Sequence, residues 1–207
     1  MAKRNVHLIL YGPEGSGKST QAKKIADKYE IPYLGSGDLV RSAAENDKGA
    51  LGETCKLVLE EGKYVADSEM FVLWKKRLKG KDINGGWIMD GFPRNISQAK
   101  FLDKKLDKYG QKVDAVIHLK VRRPESIERL LKRGRKLGNG QLHDSLDKIK
   151  ERLKRYHDGE KRVLGFYKNK RLLISVDGES PVGKVYENVM RELEKHLKRR
   201  EGRGKNE

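Results

Sequence analysis

The chain has 207 residues, enough to bury one good-sized core with small appended lobes but hardly two independent domains. Lys and Arg number 47 against 30 Asp and Glu, a net charge of +17, so polyanions are attracted whatever the specific function. Aromatics reach only 7% and the basic residues spread along the whole chain, so no nucleic-acid-binding signature emerges. One cysteine, Cys55, excludes an intramolecular disulfide and a cysteine-based zinc cluster.

The first apolar run, Val6 to Leu10, has strand length and is too short for a signal-peptide core. No segment approaches a membrane span, and with no export or anchoring signal the expected location is the cytoplasm. The run ends in Gly12-Pro13-Glu14-Gly15-Ser16-Gly17-Lys18-Ser19, which fits the phosphate-loop pattern G-x-x-x-x-G-K-[ST], and a helix is predicted over Thr20 to Tyr29. Glycines let backbone N–H groups close around phosphate oxygens, and the positive end of the helix dipole favours the anion. Lys18 is expected to reach the β and γ phosphates and Ser19 the Mg²⁺.

A short strand follows at Tyr33 to Leu34. Gly35 to Val65, with helical pieces over Gly37 to Asn46 and Ala50 to Glu61, reads as a small lobe. The strand Trp87 to Met89 delivers Asp90-Gly91-Phe92-Pro93-Arg94, a turn whose carboxylate can order the waters of Mg²⁺ and whose arginine can hold a second phosphate. The strand Ala115 to Leu119 and the helix Pro124 to Arg133 lead to Gly134 to Asp144, a polar, Gly-rich segment read as a short cover loop. There Asn139-Gly140 has the composition of a tight hairpin turn. A helix over Ser145 to His157 and a strand over Leu172 to Val176 complete the pattern, and Cys55 is read as a small core residue. From Lys198 the chain has no apolar residue and is expected to be a basic disordered tail.

Strands alternating with helices predict an α/β fold, a three-layer phosphate-loop core with a five-stranded parallel sheet, and ligands at the C-terminal ends of the strands. The expected division is a core of 1–34, 66–133 and 145–197, a small helical lobe of 35–65, a short lid of 134–144 and a tail of 198–207.

Taken together the motifs resemble the adenylate kinase family of nucleoside monophosphate kinases over nearly the whole chain. Gly35-Ser36-Gly37-Asp38-Leu39-Val40-Arg41 resembles S-T-G-D-x-x-R, and Gly62-Lys63-Tyr64-Val65-Ala66-Asp67 resembles G-x-x-V-x-D. Asp90 to Gln98 reproduces D-G-F-P-R-x-x-x-Q. Arg129 and Arg133 match the paired arginines before the lid, and Arg152-Leu153 with Tyr156 the R-L-x-x-Y after it. Val176-Asp177-Gly178 with Pro181-Val182 matches V-D-G-x-x-P-V.

The resemblance implies reversible transfer of the γ-phosphoryl of MgATP to AMP, giving two ADP. It puts Gly12, Gly15, Ser16, Gly17, Lys18, Ser19, Thr20, Arg129 and Arg133 on ATP, and Ser36, Asp38, Arg41, Val65, Gly91, Arg94, Gln98 and Arg152 on AMP. Lys18, Asp90, Arg94, Arg129, Arg133 and Arg152 form the implied catalytic set, with Mg²⁺ at Ser19 and Asp90 mostly through water. The acceptor oxygen is already ionised at neutral pH, so positioning and charge neutralisation replace a general base.

The match weakens at the lid. Where relatives carry R-x-D-D this chain reads Gln141-Leu142-His143-Asp144, so one arginine is missing, and Arg135 or Lys148 is expected to supply its charge. His143 is read as a surface residue or minor contact. The lid also lacks the cysteines with which many relatives bind zinc, so Mg²⁺ is the only metal expected. Gln98 and Ser36 favour AMP as acceptor. Asn95 resembles the pyrimidine kinases and keeps a UMP/CMP kinase as the alternative. Gln141 and the charge of +17 motivate a third reading, a catalytically weak nucleotide-dependent RNA-binding or regulatory protein. A monomer with no membrane partner, no specific nucleic-acid partner and only weak polyanion binding is expected.

Overall fold

Apolar runs bounded by turn residues form the strands of a parallel sheet with helices on both faces. The computed structural model describes residues 5–137, 140 and 142–203. The strands are β1 (Val6–Tyr11), β2 (Tyr33–Gly35), β3 (Gly86–Asp90), β4 (Ala115–Lys120) and β5 (Leu173–Asp177). All pair in parallel, in the order β2-β3-β1-β4-β5. Every residue of β3 is buried, and β1 buries all but His7, which is why these strands read as continuous apolar runs rather than as alternating ones.

The helices are α1 (Lys18–Tyr29), α2 (Ser36–Asn46), α3 (Ala50–Glu61), α4 (Asp67–Arg77), α5 (Ile96–Asp107), α6 (Arg123–Arg133), α7 (Leu146–Asn169) and α8 (Val182–Arg203). One sheet face packs Leu8, Leu10 and Ile117 against Ala22 and Ile25 of α1 and Val189 and Leu193 of α8. The other packs Ile9, Met89 and Val116 against Trp74, Leu102, Val163 and Tyr167 of α4, α5 and α7. Val40, Ala43 and Cys55 of the α2–α3 lobe join this second cluster, with Cys55 fully buried as expected. Leu130, Ile149 and Leu153 make a separate small core that joins α6 to α7 beneath the lid.

Two helices run further than the sequence suggested. α7 continues to Asn169, because Val163 and Tyr167 stand one helical turn apart and are both buried in the core. α8 continues to Arg203, so the first six residues of the expected tail, 198–203, are helical rather than disordered. Leu197 is buried on the sheet, and the side chains of His196 and Arg200 donate to the carbonyl oxygen of Asp114 at 3.1 and 3.2 Å, which ties this last stretch down. Residues 204–207 lie outside the described residues. In the lid, Lys136 and Leu142 form an antiparallel bridge on either side of the predicted hairpin turn, of which Gly140 (φ 81°) is described and Asn139 is not.

The chain leaves β1 toward β2 on one side and β4 toward β5 on the other, so a crevice opens between the C-terminal ends of β1 and β4. Gly12 follows β1 at φ 148°, and a β-carbon there would stand 2.7 Å from the carbonyl oxygen of Leu119 on β4. The loop that fills the crevice therefore packs directly on the sheet.

Because Leu193 is completely buried between α8 and the sheet, Leu193→Ala should cost about 2–5 kcal/mol of stability. Urea unfolding should show a lower midpoint with an unchanged slope.

Candidate active site

The phosphate loop is set by its glycines. Gly15 and Gly17 hold φ of 82° and 85°, and a β-carbon on Gly15 would press to 2.8 Å from the backbone oxygen of Ser126. Ser16 is buried, and its hydroxyl has no hydrogen-bond partner among the described residues, an orphan donor that a phosphate oxygen would satisfy. Lys18 opens α1, and its ammonium donates to the carbonyl of Pro13 at 2.7 Å. Burial pulls its pKa below the ordinary lysine value, opposed by the charges of Asp90 and Glu14.

Asp90 ends β3 beside this loop. Its Oδ2 accepts from the Ser19 hydroxyl at 2.5 Å and from the Tyr33 hydroxyl at 2.8 Å. A hydroxyl and a carboxylate converging here are hard oxygen donors of the kind Mg²⁺ takes with most of its water shell retained, so the residues fit that ion.

The turn after β3 places Arg94. Its Nε donates to the Gly91 carbonyl at 2.8 Å, its Nη2 reaches the Ser36 hydroxyl at 3.4 Å, and its guanidinium lies 4.0 Å from the centre of the Tyr64 ring. Gly91 is required at this spot, since at φ 76° a β-carbon would collide with Ser36 Oγ at 2.4 Å. Gln98 is buried and engaged on both ends. Its Oε1 accepts from the Arg94 backbone at 2.7 Å, and its Nε2 donates to Asp67 at 2.6 Å. Asn95 caps α5 by accepting from the Gln98 backbone N–H and also donates to Asp67. In the lobe, Arg41 donates to Asp38 at 2.6 Å in an exposed pair, and Val65 is buried.

The lid side is organised by Asp144. Its carboxylate, wholly buried, takes Arg133 through two bonds of 2.8 and 3.0 Å, Arg152 at 2.8 Å and the backbone N–H of Arg135 at 3.1 Å. Burial alone would raise its pKa. The hydrogen bonds from Arg133 and Arg152 outweigh that and hold the carboxyl far below the usual range. His143, expected at the surface, is instead buried, with Nδ1 2.5 Å from Arg152 Nη1. Burial and the charge of Arg152 lower its pKa, so a neutral ring accepts from the guanidinium. Arg152 itself is fixed by its helix: one turn later Tyr156 packs its ring 5.5 Å from that of Tyr11 at the end of β1 and donates to Glu160 at 2.6 Å.

Arg129 is directed elsewhere. It bonds Glu125 and the carbonyl oxygens of Gly178 and Glu179, and with Gly15, Thr20 and Val182 lines a cleft beside the phosphate loop. Arg135 is held among the charges of Arg133, Glu14, Asp144 and Arg41, with burial the first cause lowering its pKa. Gln141 lies outside the described residues.

Two residues that the sequence reading passed over stand at the centre. Glu14, inside the phosphate loop, accepts from the Tyr64 hydroxyl and pairs with Arg152 at 3.2 Å. Burial would raise its pKa, but Arg152, Arg94, the Tyr64 bond and Lys18 keep it ionised and below the ordinary glutamate value. An acid inside a loop built for phosphate was the available signal for Glu14. Tyr64 had none beyond its place in the quoted motif.

Elsewhere, among the described residues, no three or more His, Cys, Asp or Glu side chains gather as a metal cluster, and no helix is long and apolar enough to cross a membrane.

A phosphate loop at the switch point of a parallel sheet, faced by arginines from three other segments, defines a phosphate-loop phosphotransferase. The adenylate kinase family model matches residues 10–172. An adenylate kinase of Xanthomonas euvesicatoria pv. vesicatoria (strain 85-10) is 38% identical over 189 residues, 91% of this chain and 99% of that one. Those of Xanthomonas campestris pv. campestris (strain 8004) and Xylella fastidiosa (strain M12) are 38% and 36% identical, each across 89% of this chain and 97% of their own. The chain belongs to the adenylate kinase family.

Asp144 anchors two arginines at once, so Asp144→Asn should cost about 3 kcal/mol, the order expected when one partner is removed from a buried ion pair. A depressed carboxylate contributes stability above its unfolded pKa, about 4, and loses it as pH falls through the folded value. The gap between wild type and variant in denaturant melts should therefore be full at pH 7 and close only in strong acid.

Proposed function

We propose that the residues gathered at the phosphate loop transfer the γ-phosphoryl of MgATP to AMP, reversibly, giving two ADP. As a member of the adenylate kinase family the chain is an ATP:AMP phosphotransferase. The observation that carries the assignment of roles is the convergence of Lys18, Arg94, Arg133 and Arg152 on one point at the mouth of the loop, where each feels the charge of Glu14. Four cations from four segments meeting there match a triphosphate and a monophosphate brought end to end.

In this reading the backbone of Gly12, Gly15 and Gly17, the freed hydroxyl of Ser16 and the side chain of Lys18 hold the donor phosphates, and Thr20 adds a hydroxyl at the first turn of α1. Arg129, beside Gly178 and Glu179, faces the far end of the donor. Arg94 and Arg41 hold the acceptor phosphate, with Ser36, Gly91 and Val65 shaping its lobe and Asp38 orienting Arg41. Gln98 would read the base by releasing Asp67. Arg133 and Arg152, preset by Asp144, neutralise the charge that develops on the migrating group. Ser19 and Asp90 would hold Mg²⁺ through its waters, and the ion would supply positive charge to the donor phosphates. The lid arginine absent at Gln141 is replaced by Arg135, which shares the field of Glu14 and Arg133. A cytoplasmic monomer without zinc completes the proposal. The pyrimidine-kinase and RNA-binding readings find no support in the three relatives compared above, each named an adenylate kinase.

ADP formation from MgATP should be strong with AMP and weak with CMP, UMP or GMP in parallel coupled assays. Lys18→Ala should abolish it while leaving the circular dichroism spectrum unchanged. Equal rates with CMP or UMP would overturn the acceptor assignment.

Arg135→Ala should lower kcat by about 10²-fold, the usual loss for one electrostatic donor, whereas Lys148→Ala should stay within about twofold. Unchanged turnover in Arg135→Ala would remove Arg135 from the mechanism.

A further inference from the structure

We propose that Glu14 is a resident anion in the phosphoryl-transfer site, a carboxylate that occupies the cation cluster before nucleotide arrives and that substrate phosphates must displace. This rests on the reading of Lys18 and Arg152 as phosphate ligands.

Three observations carry it. The carboxylate comes from the phosphate loop itself, four residues before Lys18, and lies in the field of Lys18, Arg94 and Arg152. Its two oxygens are both engaged, one by the Tyr64 hydroxyl and the other by Arg152 Nη1 at 3.2 Å. And every nitrogen of Arg152 already has a partner: its Nε donates to the Lys148 carbonyl at 3.3 Å, its Nη2 to Asp144 at 2.8 Å, and its Nη1 is shared by His143 and Glu14. Of these partners Asp144, His143 and the Lys148 carbonyl belong to the lid and α7, within nine residues of Arg152 in the chain. Glu14 alone belongs to the donor loop. A phosphate oxygen approaching Arg152 from that loop meets the Glu14 carboxylate first, at the same donor, with the same sign of charge.

The contact also ties separate parts of the molecule together. Glu14 joins the loop to the acceptor lobe through Tyr64, whose ring carries the Arg94 guanidinium, and to the helix behind the lid through Arg152. At the end of α3, Gly62 abuts the lid, since a β-carbon there would stand 3.3 Å from His143 and from Leu137. Lobe, lid and loop are thus drawn together around an internal anion. Nucleotide supplies the same charge in larger measure, and Glu14 turns aside.

Isothermal titration of the full chain with ATP, AMP and adenosine tests this at low salt, comparing wild type with Glu14→Gln, Glu14→Ala and Lys18→Ala. Both Glu14 variants should bind ATP and AMP about tenfold more tightly and adenosine unchanged, because only phosphates compete with the carboxylate. A residue that merely braced the loop would instead weaken nucleotide binding when replaced. Unchanged or weaker binding in both Glu14 variants, with ATP binding still impaired by Lys18→Ala, would overturn the proposal and leave the site assignment standing. If Lys18→Ala also binds ATP normally, both fall.

Discussion

Like charges that must stand close before their ligand arrives are the constraint on which this structure turns. Lys18, Arg94, Arg133, Arg135 and Arg152 share one field, and in water-poor surroundings their mutual repulsion would splay the loop, lobe and lid apart. Carboxylates placed among them prevent this. Asp144, with no solvent exposure of its side chain, grips Arg133 and Arg152 and turns both toward the loop. Asp90 answers Lys18 from the end of β3, and Glu14 answers Arg152 from within the loop. The arginines are therefore preorganised at a cost met by folding, and under the proposed assignment the one rearrangement left to an arriving phosphate is the displacement of Glu14.

The sheet makes that geometry possible. β1 lies in the middle and β3 beside it, so the phosphate loop and Asp90 emerge from adjacent C-terminal ends, with Leu10 in register with Asp90. Arg152 comes from a helix of 24 residues, and its position is transmitted from the core by Tyr156 against Tyr11 and by Val163 and Tyr167 further along. Among the described residues the lid shows one bridge, Lys136 to Leu142, and the chain returns from it directly into α7, whose far end is packed in the core through Val163 and Tyr167.

The phosphate loop, the five strands and the D-G-F-P-R turn were legible in the sequence, because each depends on local chemistry: apolar runs for buried parallel strands, glycines for positive φ, a lysine at a helix start. The end of α8 was not, since its polar residues are held in a helix by Leu197, His196 and Arg200 docking on the sheet, contacts with no local trace. His143 and Glu14 were misjudged or passed over for a related reason. A histidine in a polar loop and an acid at a variable loop position look solvated, and only tertiary packing puts both on Arg152. Gln98 shows the converse: the sequence exposes an amide suited to a base edge, while the fold occupies it with Asp67 and the Arg94 backbone.

That occupation bears on how the acceptor is chosen. Asp67 begins α4 and accepts from both Asn95 and Gln98, so the amide proposed to read the base shares one carboxylate with the cap of α5. Gln98 Oε1, bonded to the Arg94 N–H, couples this pair to the turn that carries the arginine proposed for the acceptor phosphate. Under that assignment a base that drew Gln98 from Asp67 would pull on the side chain that braces the Arg94 turn, and phosphate contact with Arg94 would brace the turn from its other side. Base and phosphate would in this way be sensed together. A nucleoside without phosphate would bear the cost of displacing Asp67 with no return from Arg94, and a phosphate without its base would leave Gln98 bonded to Asp67.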